Sequence, residues 1–203
     1  MFVDYAGLTP RERYKLLLPV IAPRPIAFVS TLGSTGSGNL APFSFFTMGG
    51  GNPQSIVFCP ILTSKGARKD TLLNIEATGE YVINIVTRRM AERVNQASFA
   101  YPHGVDEFDA AGFTRAPSRF VKPPRVAESP VNMECRLFQV VRHGDGPMAS
   151  NYVVGEVVAV HFDDAVLVEG MPDVTLIGPV TRLGGDDWGE MNSSSIFSLP
   201  RPQ

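Results

Sequence analysis

Apolar and polar positions alternate over short distances in this chain, and the apolar runs are rich in Val, Ile and Phe. Such runs predict strands over residues 26–32, 39–47, 55–62, 81–86, 131–141 and 151–162, the last two being the longest signals. Gly33-Ser-Thr-Gly-Ser-Gly38 reads as the turn between the first two, and Gly144-Asp145-Gly146-Pro147 joins the last pair. Phe162-Asp163-Asp164-Ala165 reads as a hairpin turn into residues 166–168.

Helical signals sit between these runs. Thr9-Pro10-Arg11-Glu12 forms a capping box: the Thr9 hydroxyl meets a free helix amide, and Glu12 reaches back to the cap. That helix is expected to end near Leu18, ahead of Pro19 and Pro23. Asp70 is expected to cap a second helix carrying Leu72, Leu73 and Ile75, with Gly79 as its stop. Thr87 should cap a third, running to about Gln96, and a short helical piece is expected over residues 105–111. Residues 114–130, with Pro117, Pro123, Pro124 and Pro130, read as surface loop, and residues 179–203 as a Gly/Ser/Pro-rich tail. With no internal repeat and no linker, residues 1–203 read as a single domain. Strands grouped by hairpins, with helices inserted between the groups, favour an antiparallel barrel with peripheral helices over a parallel α/β sheet.

Composition narrows the function classes. A formal net charge of −2 lacks the basic face that phosphate backbones require, so a nucleic-acid partner is not expected. No stretch of about 20 apolar residues predicts a membrane span. The amino terminus lacks a basic region followed by an apolar stretch, so the expected location is cytoplasmic. In that compartment Cys59 and Cys135, each within an apolar run, read as reduced, buried thiols. His103, His143 and His161 show no metal-ligand spacing, so no metal is expected. Gly36-Ser-Gly38-Asn-Leu-Ala41 matches the dinucleotide fingerprint G-x-G-x-x-A in letters only, because a β-rich run follows where the fingerprint needs a helix.

Two features carry candidate chemistry. Residues 26–64 contain no charged side chain, which suits either interior strands with polar turns or a wall for a large, neutral, hydrogen-bonding ligand. Arg68-Lys69-Asp70-Thr71 places two cations and a hydroxyl at a helix start, where free amides and the helix dipole also favour an anion. That is the donor set of a phosphate-monoester site, and it is also compatible with an ordinary solvated helix start.

The segments Pro23-Arg-Pro-Ile-Ala-Phe-Val-Ser-Thr31, Asn39-Leu-Ala-Pro-Phe-Ser-Phe-Phe46 and Arg68-Lys-Asp-Thr-Leu-Leu-Asn-Ile75 resemble the flavin reductase-like, FMN-binding split-barrel family, which includes flavoredoxin-like proteins. Matches at Glu128-Ser-Pro130, Glu134-Cys-Arg-Leu137, Gly155-Glu-Val-Val158 and Arg182-Leu-Gly-Gly185 follow in the family's order. The resemblance implies a mainly β fold with peripheral helices: a six-stranded antiparallel Greek-key split barrel, usually a homodimer with FMN near the subunit interface. It implies flavin contacts for Ser30 and Thr31, a strand beside the flavin ring for Asn39, Ala41, Pro42, Ser44 and Phe46, and a phosphate-side segment for Lys69, Asp70 and Thr71. Asp70 fits a cap better than a ligand, Arg24 is a weaker contact, and the turn over residues 33–38 is expected to rim the site. Trp188 stands where the family often has Tyr, and His161 at a frequent His position fits a structural role.

The activity implied is hydride transfer from NADH or NADPH to flavin, with electrons passed to a flavin, an oxygenase or another acceptor. The alternative is an FMN-binding electron carrier or flavin-storage protein without turnover. Direct hydride transfer requires no protein acid or base, so the lack of a catalytic triad is expected, and no catalytic residue is assigned.

Overall fold

The computed structural model describes residues 1–202. In chain order the elements are α1 (Pro10–Leu17), β1 (Arg24–Pro25), β2 (Ala27–Leu32), β3 (Gly38–Phe43), β4 (Phe46–Gly51), β5 (Gln54–Phe58), α2 (Asp70–Thr78) and β6 (Glu80–Ile85). A 3-10 turn (Arg88–Met90) leads into α3 (Ala91–Ala97), followed by α4 (Glu107–Ala110), β7 (Arg115–Ala116), β8 (Arg125–Val126), β9 (Val131–His143) and β10 (Ser150–Phe162). The chain closes with β11 (Leu167–Val168), β12 (Met171–Pro172), α5 (Val174–Ile177), β13 (Val180–Gly184) and β14 (Asp187–Glu190). None of the helices among the described residues is long and apolar enough to cross a membrane.

Seven strands form one antiparallel sheet in the order β3-β2-β6-β9-β10-β5-β4. Its two edges, β3 and β4, are consecutive in the chain and separated only by Ser44 and Phe45, so the sheet curls into a split barrel. The expected single strand over residues 39–47 is therefore two strands. The chain crosses from one sheet edge to the other at Ser44–Phe45, where the Phe45 carbonyl accepts from the Cys59 amide at 2.8 Å. That crossing raises the count from six strands to seven without changing the fold class.

β2 shows how the sequence pattern builds two cores. Ala27 and Val29 face the barrel interior with Phe43, Phe58, Tyr81 and Cys135. Phe28, from the other face, joins an outer cluster with Leu40, Val94, Phe108 and Phe113. A strand buried on both faces reads as a continuous apolar run, as this one does. Helix α2 plugs the barrel through Leu72 and Ile75, which belong to the inner cluster, and ends at Gly79 in the left-handed conformation. The plug brings the start of α2 up to β3.

Inside the barrel the Tyr81 hydroxyl is buried without a hydrogen-bond partner. It lies against Gly155: a Cβ there would meet Tyr81 Oη at less than contact distance, Tyr81 Cζ at 2.8 Å and the Arg136 carbonyl at 3.0 Å. Cys59 and Cys135 are free and buried, and burial pushes both thiols above the usual range. Glu134 is fully buried. Its carboxylate accepts from the amides of Arg119 (2.7 Å), Phe120 (2.6 Å) and Val121 (3.1 Å), and lies 2.5 Å from His161 Nε2. This clamp ties residues 119–121 to the sheet and gives His161 a structural partner.

The capping box of α1 is present as expected, with both Thr9 and Glu12 in place. Other local expectations change. Lys69, not Asp70, is the N-cap of α2, and no side chain caps that helix. Thr87 makes no cap bond; its buried hydroxyl has no partner, because residue 87 lies in a β-bridge to Pro179. After β10 the chain does not turn back as a hairpin. The Asp163 side chain accepts from Ala165 N and starts a 3-10 turn, so β11 leaves the sheet and pairs only with β12. Residues 114–130 contain the small β7–β8 ladder, and within the tail β13 and β14 form a hairpin against β1.

Candidate functional site

Between β3, the start of α2 and the loop after α3 lies a pocket of about 270 Å³. Asn39, Ala41 and Pro42 form one wall, and Lys69, Asp70 and Thr71 form another. Both walls come from the segments that the sequence singled out.

The polar floor is set by one amide. Asn39 Nδ2 donates to Thr71 Oγ1 (2.9 Å) and to Thr31 Oγ1 (3.1 Å), while Asn74 Nδ2 donates to Thr31 Oγ1 at 3.1 Å. Thr71 therefore accepts from the protein, leaving its own hydroxyl proton free for a ligand. Thr31 is fully buried and acts beneath the pocket through Asn39.

The two cations differ sharply. Arg68 is ion-paired with Glu76, which also binds Arg142 at 2.6 Å. Lys69 makes no ion pair among the described residues; its ammonium lies 5.5 Å from the Phe43 ring centroid. Lys69 is exposed as a residue, yet desolvation by the surrounding protein pushes its pKa below the ordinary lysine value. A partly desolvated ammonium without a counterion among the described residues, a hydroxyl with a free proton and an uncapped helix start form a donor set of the kind that suits an anion. Asp70 is turned aside, with its carboxylate 2.8 Å from His103 Nδ1.

The remaining wall was not legible beforehand. Ser98, Phe99, Tyr101 and His103 reach the pocket from the loop after α3, and Glu107 from α4. Glu107 accepts from the Leu40 amide on edge strand β3 at 2.9 Å, and burial raises its pKa. The loop carries no motif. Only the long-range packing of α3 and α4 on β3 brings it here.

Five expected elements lie elsewhere. Ser30 is buried and donates to the Pro124 carbonyl at 2.5 Å. Arg24 is spent on the carbonyls of Leu18, Ile21 (2.7 Å) and Leu183 (3.1 Å), holding the chain after α1 to β13. Phe46 packs on the inner core. The turn over residues 33–38 does not rim the pocket; Gly38 packs instead against Asp106, the cap of α4. Ser44 lies one compartment further on, in an adjoining pocket of about 150 Å³ with Arg182 and Trp188. A larger groove of about 960 Å³ runs beneath α1, lined by Tyr14, Leu18 and Leu183. Arg11, Lys15 and Ser64 also line it, but neither of the segments 39–46 and 68–75 reaches it.

Residues 21–174 match the family model described as the flavin reductase like domain, and the chain belongs to that family. It is 36% identical over 198 residues to the uncharacterized protein BH2278 of Halalkalibacterium halodurans, covering 97% of this chain and 94% of that one. Among solved structures it is similar to nitrilotriacetate monooxygenase component B from Bacillus cereus, at 29% identity and a TM-score of 0.91, with 98% of each chain covered. It is also similar to the 2-nitrobenzoate 2-nitroreductase NbaA of Pseudomonas fluorescens, at 31% identity and a TM-score of 0.87, covering 100% of this chain and 99% of that one.

Proposed function

We propose that this chain binds FMN and works as a flavin reductase-type oxidoreductase, taking hydride from NADH or NADPH and delivering electrons to a flavin, an oxygenase or another acceptor. The observation that carries the reading is Lys69: an ammonium held partly out of water, with no ion pair among the described residues, beside the Thr71 hydroxyl at the start of α2. When bound, FMN supplies the redox chemistry, accepting hydride and releasing electrons. Lys69, Thr71 and the first amides of α2 would hold the phosphate. Asn39 would orient Thr71, and Ala41 and Pro42 would form the wall along which the flavin lies. The likeness to a monooxygenase component B supports an oxygenase as recipient of the electrons. Work as a homodimer belongs to the same proposal, supported by exposed apolar side chains on the β9–β10 hairpin such as Phe138 and Val141.

A fluorescence titration of the purified protein with FMN tests the assignment. Saturable quenching that weakens in Lys69→Ala supports it; an unchanged dissociation constant in that variant places the phosphate elsewhere.

A further inference from the structure

The pocket at the start of α2 offers cationic and hydroxyl donors at one point, and carboxylates next to it. Lys69 lines it with no ion pair among the described residues, whereas the neighbouring Arg68 is neutralised by Glu76. Along β3 from Pro42 towards Gly38 the surroundings change. Ala41 and Pro42 form an uncharged wall, and Asn39 orients the Thr71 hydroxyl. At Leu40 the Glu107 carboxylate accepts the strand's edge amide at 2.9 Å. At Gly38 the Asp106 carboxylate packs on the backbone, and Arg115 pairs with it at 2.7 Å. Glu107 has no such cation among the described residues. Burial raises its pKa, and the charges of Asp106 and Asp70 push in the same direction, so this end of the pocket carries a negative field. Asp70 is itself a lining residue, standing at the first position of α2. Its carboxylate meets His103 Nδ1 at 2.8 Å, which ties the helix wall to the wall formed by the loop after α3.

We propose that Glu107 and Asp70 are specificity-determining residues that restrict the site to a flavin bearing one phosphate, so that FMN binds and FAD is rejected. This inference rests on the function proposed above. The phosphate of FMN is a monoester and concentrates about 1.5 to 2 negative charges at one point. Lys69, the Thr71 hydroxyl proton and the first amides of α2 converge on one such point. FAD instead spreads its charge over two linked phosphates. With the first seated at Lys69, the second has Glu107 and Asp70 for neighbours and no unpaired arginine to receive it. Like charges brought together in a partly desolvated site exclude a wrong ligand, and selectivity of this kind needs a repulsive element beside the attractive one. Here Lys69 attracts and Glu107 repels.

Calorimetric titration with FMN and with FAD at about pH 8, where carboxylates are ionised, reads the selectivity. The wild-type protein should bind FMN at least about tenfold more tightly than FAD. Glu107→Gln keeps an oxygen for the Leu40 amide and removes the charge. It should narrow that ratio at least about threefold, chiefly by tightening FAD. Asp70→Asn, at a partly exposed position, should act in the same direction. Should Glu107→Gln fail to fold, Asp70→Asn carries the test. Equal wild-type affinities for the two flavins overturn the proposal. An unchanged ratio in the folded variants also overturns it, because the adenosine and not the second phosphate would then be what the site refuses. Binding of neither flavin would instead remove the flavin assignment, whereas equal binding of both leaves that assignment standing.

Discussion

The side-chain amide of Asn39 donates to two hydroxyls at once, Thr71 Oγ1 at 2.9 Å and Thr31 Oγ1 at 3.1 Å. This relationship fixes the direction of the hydrogen-bond chain: Thr71 accepts inward and donates outward. Asn39→Asp removes both donors and turns the Thr71 proton back into the protein. It should lower FMN affinity by about tenfold or more, and stability by about 1–3 kcal/mol, the cost of unsatisfied buried polar groups. Paired FMN titration and thermal melting read the two effects. Full FMN affinity in a folded Asn39→Asp protein contradicts the orientation role.

The contrast between neighbouring cations gives a second test. Removing Lys69 and Thr71 together should weaken FMN by about 10–100-fold, the loss of two charge-assisted contacts partly replaced by water. Arg68→Ala should cost less than about threefold, because Glu76 already neutralises that charge on a partly exposed surface. Equal losses from the two sites would mean that the phosphate lies between them.

The pH dependence of binding follows from burial of the Lys69 ammonium, which depresses its pKa in the free protein. Only the protonated form attracts phosphate. Affinity for FMN should therefore fall as pH rises through this depressed value, below the ordinary lysine value of about 10.4. Lys69→Arg keeps its charge at every accessible pH and should remove the fall. A flat wild-type profile up to the ordinary lysine range would show that this ammonium does not bind the anion.

Glu134 governs the acid limb of stability. Burial alone would raise its pKa, but the amides of Arg119, Phe120 and Val121 together with His161 outweigh that effect and hold it below the usual value. A carboxylate depressed in the folded state stabilises above its unfolded pKa of about 4.3, and that contribution is lost as pH falls through the folded value. Glu134→Gln should cost about 1–3 kcal/mol at neutral pH and flatten the decline in acid. An unchanged acid limb in melting curves would remove Glu134 from the account.

Tyr81 and Gly155 form a steric pair in the barrel. Gly155→Ala should destabilise by about 1–3 kcal/mol, because its Cβ would press on the Tyr81 ring and the Arg136 carbonyl. Tyr81→Phe alone should cost little, since the hydroxyl has no partner to lose. The double variant should recover part of the loss and not all of it, because Tyr81 Cζ stays close. Simple additivity in denaturant unfolding would show that the two do not meet.

Much of the barrel was legible because its signals are local. The Thr9–Glu12 box, the double-faced apolar run of β2 and the stop at Gly79 each depend on a few adjacent residues. Asp70 misleads because its carboxylate is engaged by His103, 33 residues away, so a good cap residue stands at the first helical position instead. Thr87 and the β13–β14 hairpin are decided by one bridge to Pro179 that no periodicity encodes. At the candidate site, Asn39, Ala41, Pro42, Lys69, Asp70 and Thr71 come together as their segments suggested. Ser30, Phe46 and Arg24 sit elsewhere because pleat and carbonyl bonding, not segment, decide where each side chain goes. The wall from residues 98–103 had no sequence signal, and the helical piece expected over residues 105–111 gave no sign that its Glu107 would reach the pocket.

The most direct test of the central claim is the visible spectrum of the FMN-loaded protein, followed anaerobically as NADH and then NADPH is added. Bands near ~370 and ~450 nm should bleach on addition of one of the two nucleotides, with hydride passing to the flavin. Bands that persist until a chemical reductant is added would contradict the reductase assignment and leave an FMN-binding carrier that draws its electrons from a partner.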